Sequence, residues 1–150
     1  MTTMLMAAYS LTAATEFDYD FIYGTARLTM FDYVERLWGW DEDYQSARFR
    51  ENFKVEEWEL VKVDGKPAGC VNVQYRPREI FLCNIYILPE FQRRGIGSSI
   101  IESVLRFARE TRRPVRLNVL RTNRDAFRLY VRLGFHIVET SPEKYLMSTD

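Results

Sequence analysis

Ile80-Phe81-Leu82-Cys83-Asn84-Ile85-Tyr86-Ile87-Leu88, then Pro89-Glu90-Phe91, then Gln92-Arg93-Arg94-Gly95-Ile96-Gly97-Ser98: this run decides how the chain folds. The first nine residues are nearly unbroken in apolar character and predict a strand, closed by Pro89. After the glycines, Ile96, Ile100, Ile101, Val104, Leu105 and Ala108 recur at helical spacing. The turn between them therefore sits at a helix N-terminus, where unpaired N–H groups carry a partial positive charge of about half a unit. Two glycines let a ligand come close to the backbone, and two arginines add positive charge. The combination predicts a seat for a pyrophosphate or another anion.

Outward from this run, the period is two on its N-terminal side. Val55 to Val63 reads as a strand, Asp64-Gly65 as a hairpin turn, and Ala68 to Tyr75 as the returning strand. Further upstream, Met4 to Leu11 reads as a first strand. Thr15 and Asp18 form a capping box for a helix to about Leu37. Gly39 ends that helix, and Asp41 caps a second one reaching about Phe53. On the C-terminal side Pro114 ends the long helix and Val115 to Val119 alternates as a strand. Asn123 caps a helix from Arg124 to Leu133, stopped by Gly134. Phe135 to Glu139 and Tyr145 to Met147 read as the last strands. The expectation is a mixed α/β protein, residues 1–150 forming a single domain around one sheet.

The bulk properties bound the function. The chain has 150 residues and equal numbers of acidic and basic side chains, 21 of each. Phosphate neutralisation usually leaves a basic excess, so nucleic acid is not expected as a partner. No apolar run approaches the roughly 20 residues of a membrane span, and no basic stretch leads into an apolar one as in a signal peptide. Cys70 and Cys83 lack the spacing of a zinc site or a disulfide framework. No metal is expected, and the thiols read as core residues of a cytoplasmic protein.

Gly95-Ile96-Gly97 is not a P-loop, because no Lys-Ser/Thr follows the second glycine. It is not the dinucleotide fingerprint either, since Ile100 stands where the third small residue belongs. Packing alone could account for a lone Gly-x-Gly. The stretch from Ile87 to Gly97, however, resembles the acyl-CoA-binding motif Gln/Arg-x-x-Gly-x-Gly/Ala of the Gcn5-related N-acetyltransferase (GNAT) superfamily. The family's downstream pattern is matched by Asn123, Ala126, Tyr130, Gly134 and Phe135. The resemblance is close over the C-terminal half, and elsewhere it extends to element order. It implies a GNAT-like acyl-CoA N-acyltransferase fold with a mostly antiparallel central sheet flanked by helices.

The resemblance also implies acetyl-CoA as cosubstrate. Backbone groups from Arg93 through Gly95, Ile96 and Gly97 to Ser98 would take the pyrophosphate, with Gln92, Arg93 and Arg94 beside it. The main chain at Ile85, Tyr86 and Ile87 would pair with the pantetheine arm as an added strand edge. Asn123 would contact the same arm, a role compatible with capping its helix. Tyr130 stands where the family has its general acid. A neutral amine would attack the thioester directly, after losing a proton from an ammonium of pKa near 10. Glu79 is a candidate general base, read as lying on the strand face of Phe81, Cys83, Ile85 and Ile87. It reads equally as a surface carboxylate beside Arg78, and a water relay is a third route.

In this family the first helices shape the acceptor site. Tyr33, Trp38 and Trp40 are the candidate substrate residues here, among Glu35, Asp41, Glu42 and Asp43. Aromatic walls and carboxylates suit a cationic amine; the same residues also serve as core anchors and helix caps. The implied function is an acetyl-CoA-dependent N-acetyltransferase acting on a primary amine of a small molecule or peptide, and by analogy a homodimer. The rivals are a non-catalytic acyl-CoA sensor, and a partner-binding domain using Trp38 and Trp40.

Overall fold

Residues 8–150 are described by the structure, a computed structural model. The sheet grows outward from the strand that the opening run predicts. That strand is β4 (Ile80–Ile87), and β1 (Ser10–Ala13), β2 (Trp58–Val63) and β3 (Lys66–Tyr75) lie on one side of it. On the other side are β5 (Val115–Leu120), then β7 (Lys144–Ser148), then β6 (His136–Thr140). Every neighbouring pair is antiparallel except β4 with β5, which run parallel. The helices are α1 (Tyr19–Trp38), α2 (Glu42–Asn52), α3 (Ile96–Glu110) and α4 (Arg124–Arg132).

Local chemistry explains most of the boundaries. The Asp18 carboxylate accepts from the Thr15 N–H at 2.8 Å, holding the chain as it enters α1. Gly39, at φ 77°, lets α1 end, and the Asp41 carboxylate accepts from the Tyr44 N–H to start α2. Asp64 and Gly65 both have positive φ, the requirement of the tight turn that joins β2 to β3. The stretch Val55–Glu57 departs from the strand expected there and forms one short 3-10 turn. This turn brings the Glu57 carboxylate to the Asn72 and Gln74 amides, at 3.2 and 3.3 Å. The first strand lies later than expected, at Ser10–Ala13, and residues 4–7 of that expectation fall outside the described residues.

Two apolar clusters flank the sheet. The larger joins the α3 stripe to Ile80, Leu82, Val115, Leu117 and Met147. The smaller lies under α1 and holds Ile22, Trp58, Leu60 and Cys70. Each fully buried isoleucine of the α3 stripe contributes roughly 1.5–3 kcal/mol of transfer free energy, so this helix anchors the turn that precedes it.

One irregularity in β4 matters for everything downstream. Asn72 faces Asn84 and Val73 faces Leu82, so Cys83 is an extra residue without a partner on β3. Ahead of this bulge the even residues Ile80 and Leu82 enter the larger core; behind it Ile85 and Ile87 do, while Tyr86 packs on the smaller one. The simple alternation expected from sequence therefore fails. Glu79 and Phe81 share a face with Asn84 and Tyr86, not with Ile85 and Ile87.

Candidate functional site

The parallel strands β4 and β5 pair only at Ile80–Val115 and Phe81–Arg116. Beyond that point they part. Leu82 to Tyr86 form one wall of the resulting cleft; Asn118, Val119, Leu120 and the side of α4 form the other. The cavity has a volume of about 920 Å³ and reaches the α1–α2 connection at Trp38, Gly39 and Asp41.

The parted edge of β4 turns backbone groups toward the cleft. The Leu88 N–H donates to Ala68 O on β3 at 2.8 Å. Because the peptide is planar and trans, the Ile87 carbonyl points the opposite way, toward the cleft. The Gln92 side chain donates to that carbonyl at 2.8 Å, tying the glycine turn to the strand end. The strand period gives Ile85 the same orientation, so its N–H and C=O face the cleft too.

At the turn, Arg93 and Gly95 hold positive φ, 62° and 78°. The first helical bond runs from Ser99 N to Gly95 O at 3.0 Å, which leaves the N–H groups of Ile96, Gly97 and Ser98 at the open end of α3. The two glycines have different reasons to be glycine. Gly95 needs the left-handed conformation. Gly97 does not, and a Cβ there would meet nothing within 4 Å, so packing does not require it. Arg93 and Arg94 are both exposed, and Arg94 folds back, donating to Glu90 O at 2.9 Å and covering the Phe91 ring.

Tyr130 and Asn123 both line the cleft from α4. Asn123 Oδ1 accepts from the Ala126 N–H at 3.3 Å and caps the helix, which leaves its amide nitrogen for another partner. Tyr130 is buried, and burial pushes its phenol up to about 12. Tyr86 lines the same cleft, its phenol raised further by burial and then by the Cys70 thiol.

Glu79 does not join this group. It sits at the closed end of the wedge and pairs with Arg76 at 3.0 Å and Arg116 at 3.5 Å. Of the three candidate substrate residues, Trp38 lines the cleft with 57% exposure. Trp40 lines an adjoining chamber and donates its indole N–H to Glu42 at 2.6 Å. Tyr33 lines neither; its carbonyl accepts from the Thr122 hydroxyl and ties α1 to the loop before α4. Glu42 is held below the usual carboxylate range, chiefly by its hydrogen bond from Arg27, then by Trp40. The carboxylates that do line the cleft are Asp41 and Glu143. Glu143 carried no sequence signal, because only the β6–β7 turn brings it there.

The buried acids imply a pH dependence of stability. Burial raises Cys70 and Tyr130 to about 12 and Cys83 to about 11. In the unfolded chain, thiols titrate near 8.5 and phenols near 10. The folded state thus holds these protons more tightly. Its stabilisation is complete below about pH 8.5 and is lost as pH rises toward about 12. The melting temperature should be flat from pH 7 to 8 and fall steadily above about 9; a flat profile to pH 11 would contradict this burial.

Residues 20–135 match the Acetyltransferase (GNAT) family. The chain belongs to this family. Among GNAT relatives, a thialysine N-epsilon-acetyltransferase of Bos taurus is 36% identical over 87 residues, 51% of this chain and 51% of its own length. An uncharacterized N-acetyltransferase of Methanocaldococcus jannaschii is 33% identical over 114 residues, 69% of this chain and 47% of that protein. This GNAT chain thus spans about half the length of these relatives. In fold it is similar to the PaiA N-acetyltransferase of Thermoplasma acidophilum in complex with coenzyme A. That likeness has a TM-score of 0.77 at 17% identity and covers 95% of this chain and 99% of that one. The GNAT fold expected from the glycine turn and the Asn123 to Phe135 pattern is the fold observed.

Proposed function

We propose that the protein is an N-acetyltransferase that moves an acetyl group from acetyl-CoA to a primary amine of a small molecule or peptide by direct attack in a ternary complex. The observation that carries this reading is the parting of β4 from β5, which turns the backbone of Ile85 and the Ile87 N–H toward the cleft and ends at the open N-terminus of α3. A groove edged by strand N–H and C=O groups accepts the amide-bearing pantetheine arm by strand addition. The N–H groups of Ile96, Gly97 and Ser98, at a positive helix end, fit a pyrophosphate. Bound acetyl-CoA supplies an activated thioester. Asn123 Nδ2 steadies the arm from the opposite wall.

Tyr130 holds a proton for the leaving sulfur. A phenol raised to about 12 stays protonated across the working range, so it donates a hydrogen bond to the developing thiolate. Glu79 lies in its ion pairs and does not serve as the base in this reading. Asp41 and Glu143 draw the ammonium to the cleft mouth, and its proton leaves through water there.

Three measurements test the roles. Thiol release from acetyl-CoA across polyamines, amino acids, aminoglycosides and peptide N-termini should show turnover with at least one amine. Tight acetyl-CoA binding with no turnover would favour a sensor instead. Tyr130→Phe should lower the saturated rate by about a hundredfold with unchanged CoA affinity. The wild-type rate should climb with pH as the amine loses its proton, with no falling limb below about pH 11. An unchanged Tyr130→Phe rate would remove its acid role.

A further inference from the structure

A second cavity of about 270 Å³ lies between α1, α2 and the sheet, and it opens into the cleft. The two share Met30, Val34, Gln45, Arg48, Asn84 and Tyr86 as lining. Its walls are aromatic: Tyr23, Phe49, Phe53 and Trp58. Its floor is polar: Asn72, Asn84 and Tyr86, all carried on β3 and β4. Asn72 and Asn84 are direct cross-strand partners. Without the extra residue Cys83, Asn84 and Tyr86 would stand on the opposite face.

Asn72 is the unusual residue of this floor. It is 5% exposed, and its Oδ1 is buried without a hydrogen-bond partner among the described residues. Its amide orientation is set by Glu57, whose carboxylate accepts from Nδ2 at 3.2 Å. A flipped amide would place two oxygens against each other, so the flip offers no relief. A buried acceptor left unpaired costs on the order of 1–3 kcal/mol. Beside it, the Tyr86 hydroxyl accepts from Asn84 Nδ2 at 2.7 Å, which aligns the neighbouring amide.

We propose that this chamber takes the non-reacting arm of the acceptor, an apolar or aromatic group ending in a neutral hydroxyl or amide N–H, and that Asn72 Oδ1 receives that donor. The inference rests on the N-acetyltransferase reading and names the kind of amine it uses. The arm is apolar because the aromatic rings of Tyr23, Trp40, Phe49, Phe53 and Trp58 wall the space. Its end is a donor because the unpaired floor atom is an acceptor. It is neutral because a buried charge carries a far larger desolvation cost and the rim bears Arg27 and Arg48. Tyr86 stands where the chamber joins the cleft, so an amine whose arm fills the chamber reaches the cleft with its nitrogen.

The test uses matched amines that differ only in the donor: tyramine against phenethylamine, and 5-amino-1-pentanol against pentylamine. Binding to the CoA-loaded protein is measured by calorimetry, and acetylation by thiol release. In at least one pair the hydroxylated member should bind roughly tenfold tighter. Asn72→Leu should bring that ratio to about one. Should Asn72→Leu not fold, the side-chain amide resonances of wild-type Asn72 decide: they should shift with the hydroxylated amine and not with its partner. Equal affinities within both pairs, or a preference that survives in Asn72→Leu, overturn the proposal. Amines that bind with the predicted ratio and are never acetylated would leave the chamber standing and sink the acetyltransferase reading. Acetylation of other amines, with no donor preference, would do the reverse.

Discussion

Gly97→Glu is expected to abolish CoA binding while the protein stays folded. Gly97 lies in the first turn of α3, has no positive φ, and has open space where a Cβ would stand. A side chain there disturbs no protein neighbour. A carboxylate would instead occupy the mouth of the N–H seat and repel a pyrophosphate. Loss of at least a hundredfold in affinity is expected by calorimetry, with a melting temperature equal to or above that of the wild type. The milder Gly97→Ala separates the two effects further. Glycine within a helix is destabilising by roughly 0.5–1 kcal/mol relative to alanine, so Gly97→Ala should raise stability by about that amount. It should also weaken CoA, because the backbone can no longer be approached as closely. Normal CoA affinity in Gly97→Glu would mean that the pyrophosphate lies elsewhere.

Gly69→Ala is expected to destabilise the fold by roughly 3 kcal/mol, the upper range of overpacking effects. Gly69 pairs with Ile87 at the open end of the cleft. A Cβ there would lie 2.2 Å from Tyr86 O and 3.1 Å from Ile87 Cα, and both are backbone atoms that cannot rotate away. Relief requires β3 and β4 to move apart along the segment whose other edge faces the cleft. Urea denaturation should therefore show a lower midpoint, and CoA affinity should fall in the same variant. A midpoint within experimental error of the wild type would show that β4 yields freely there, and the pantetheine edge would then not be rigid.

These two glycines were not equally legible in sequence. Gly97 stands in a motif whose spacing gives it away. Gly69 occurs inside an ordinary strand pattern, Lys66 to Tyr75, and nothing local marks it as the point where β4 comes closest. Asn72 was silent for the same reason. An asparagine in a strand reads as a solvent-facing residue until the turn at Val55–Glu57 and the bulge at Cys83 are in place. The surroundings of Glu79 are not legible in sequence either, because one of its two arginine partners, Arg116, is far away in the chain and arrives only through the β4–β5 pairing.

The sequence by itself determined most of the elements and the glycine turn that opens α3. Helical and strand periods, the caps at Asp41 and Asn123, the Asp64-Gly65 turn and the left-handed Gly95 depend on residues within a few positions of one another. Such short-range preferences act in the chain before any tertiary contact forms. The tertiary structure decided which side chains meet. The extra residue at Cys83 reverses the facing of every later side chain of β4, and it exists only as a mismatch between two paired strands. That single reversal places Asn84 and Tyr86 over the chamber instead of in the larger core. The register of non-local pairing, which no local pattern encodes, thus selects the residues that an acceptor amine would touch.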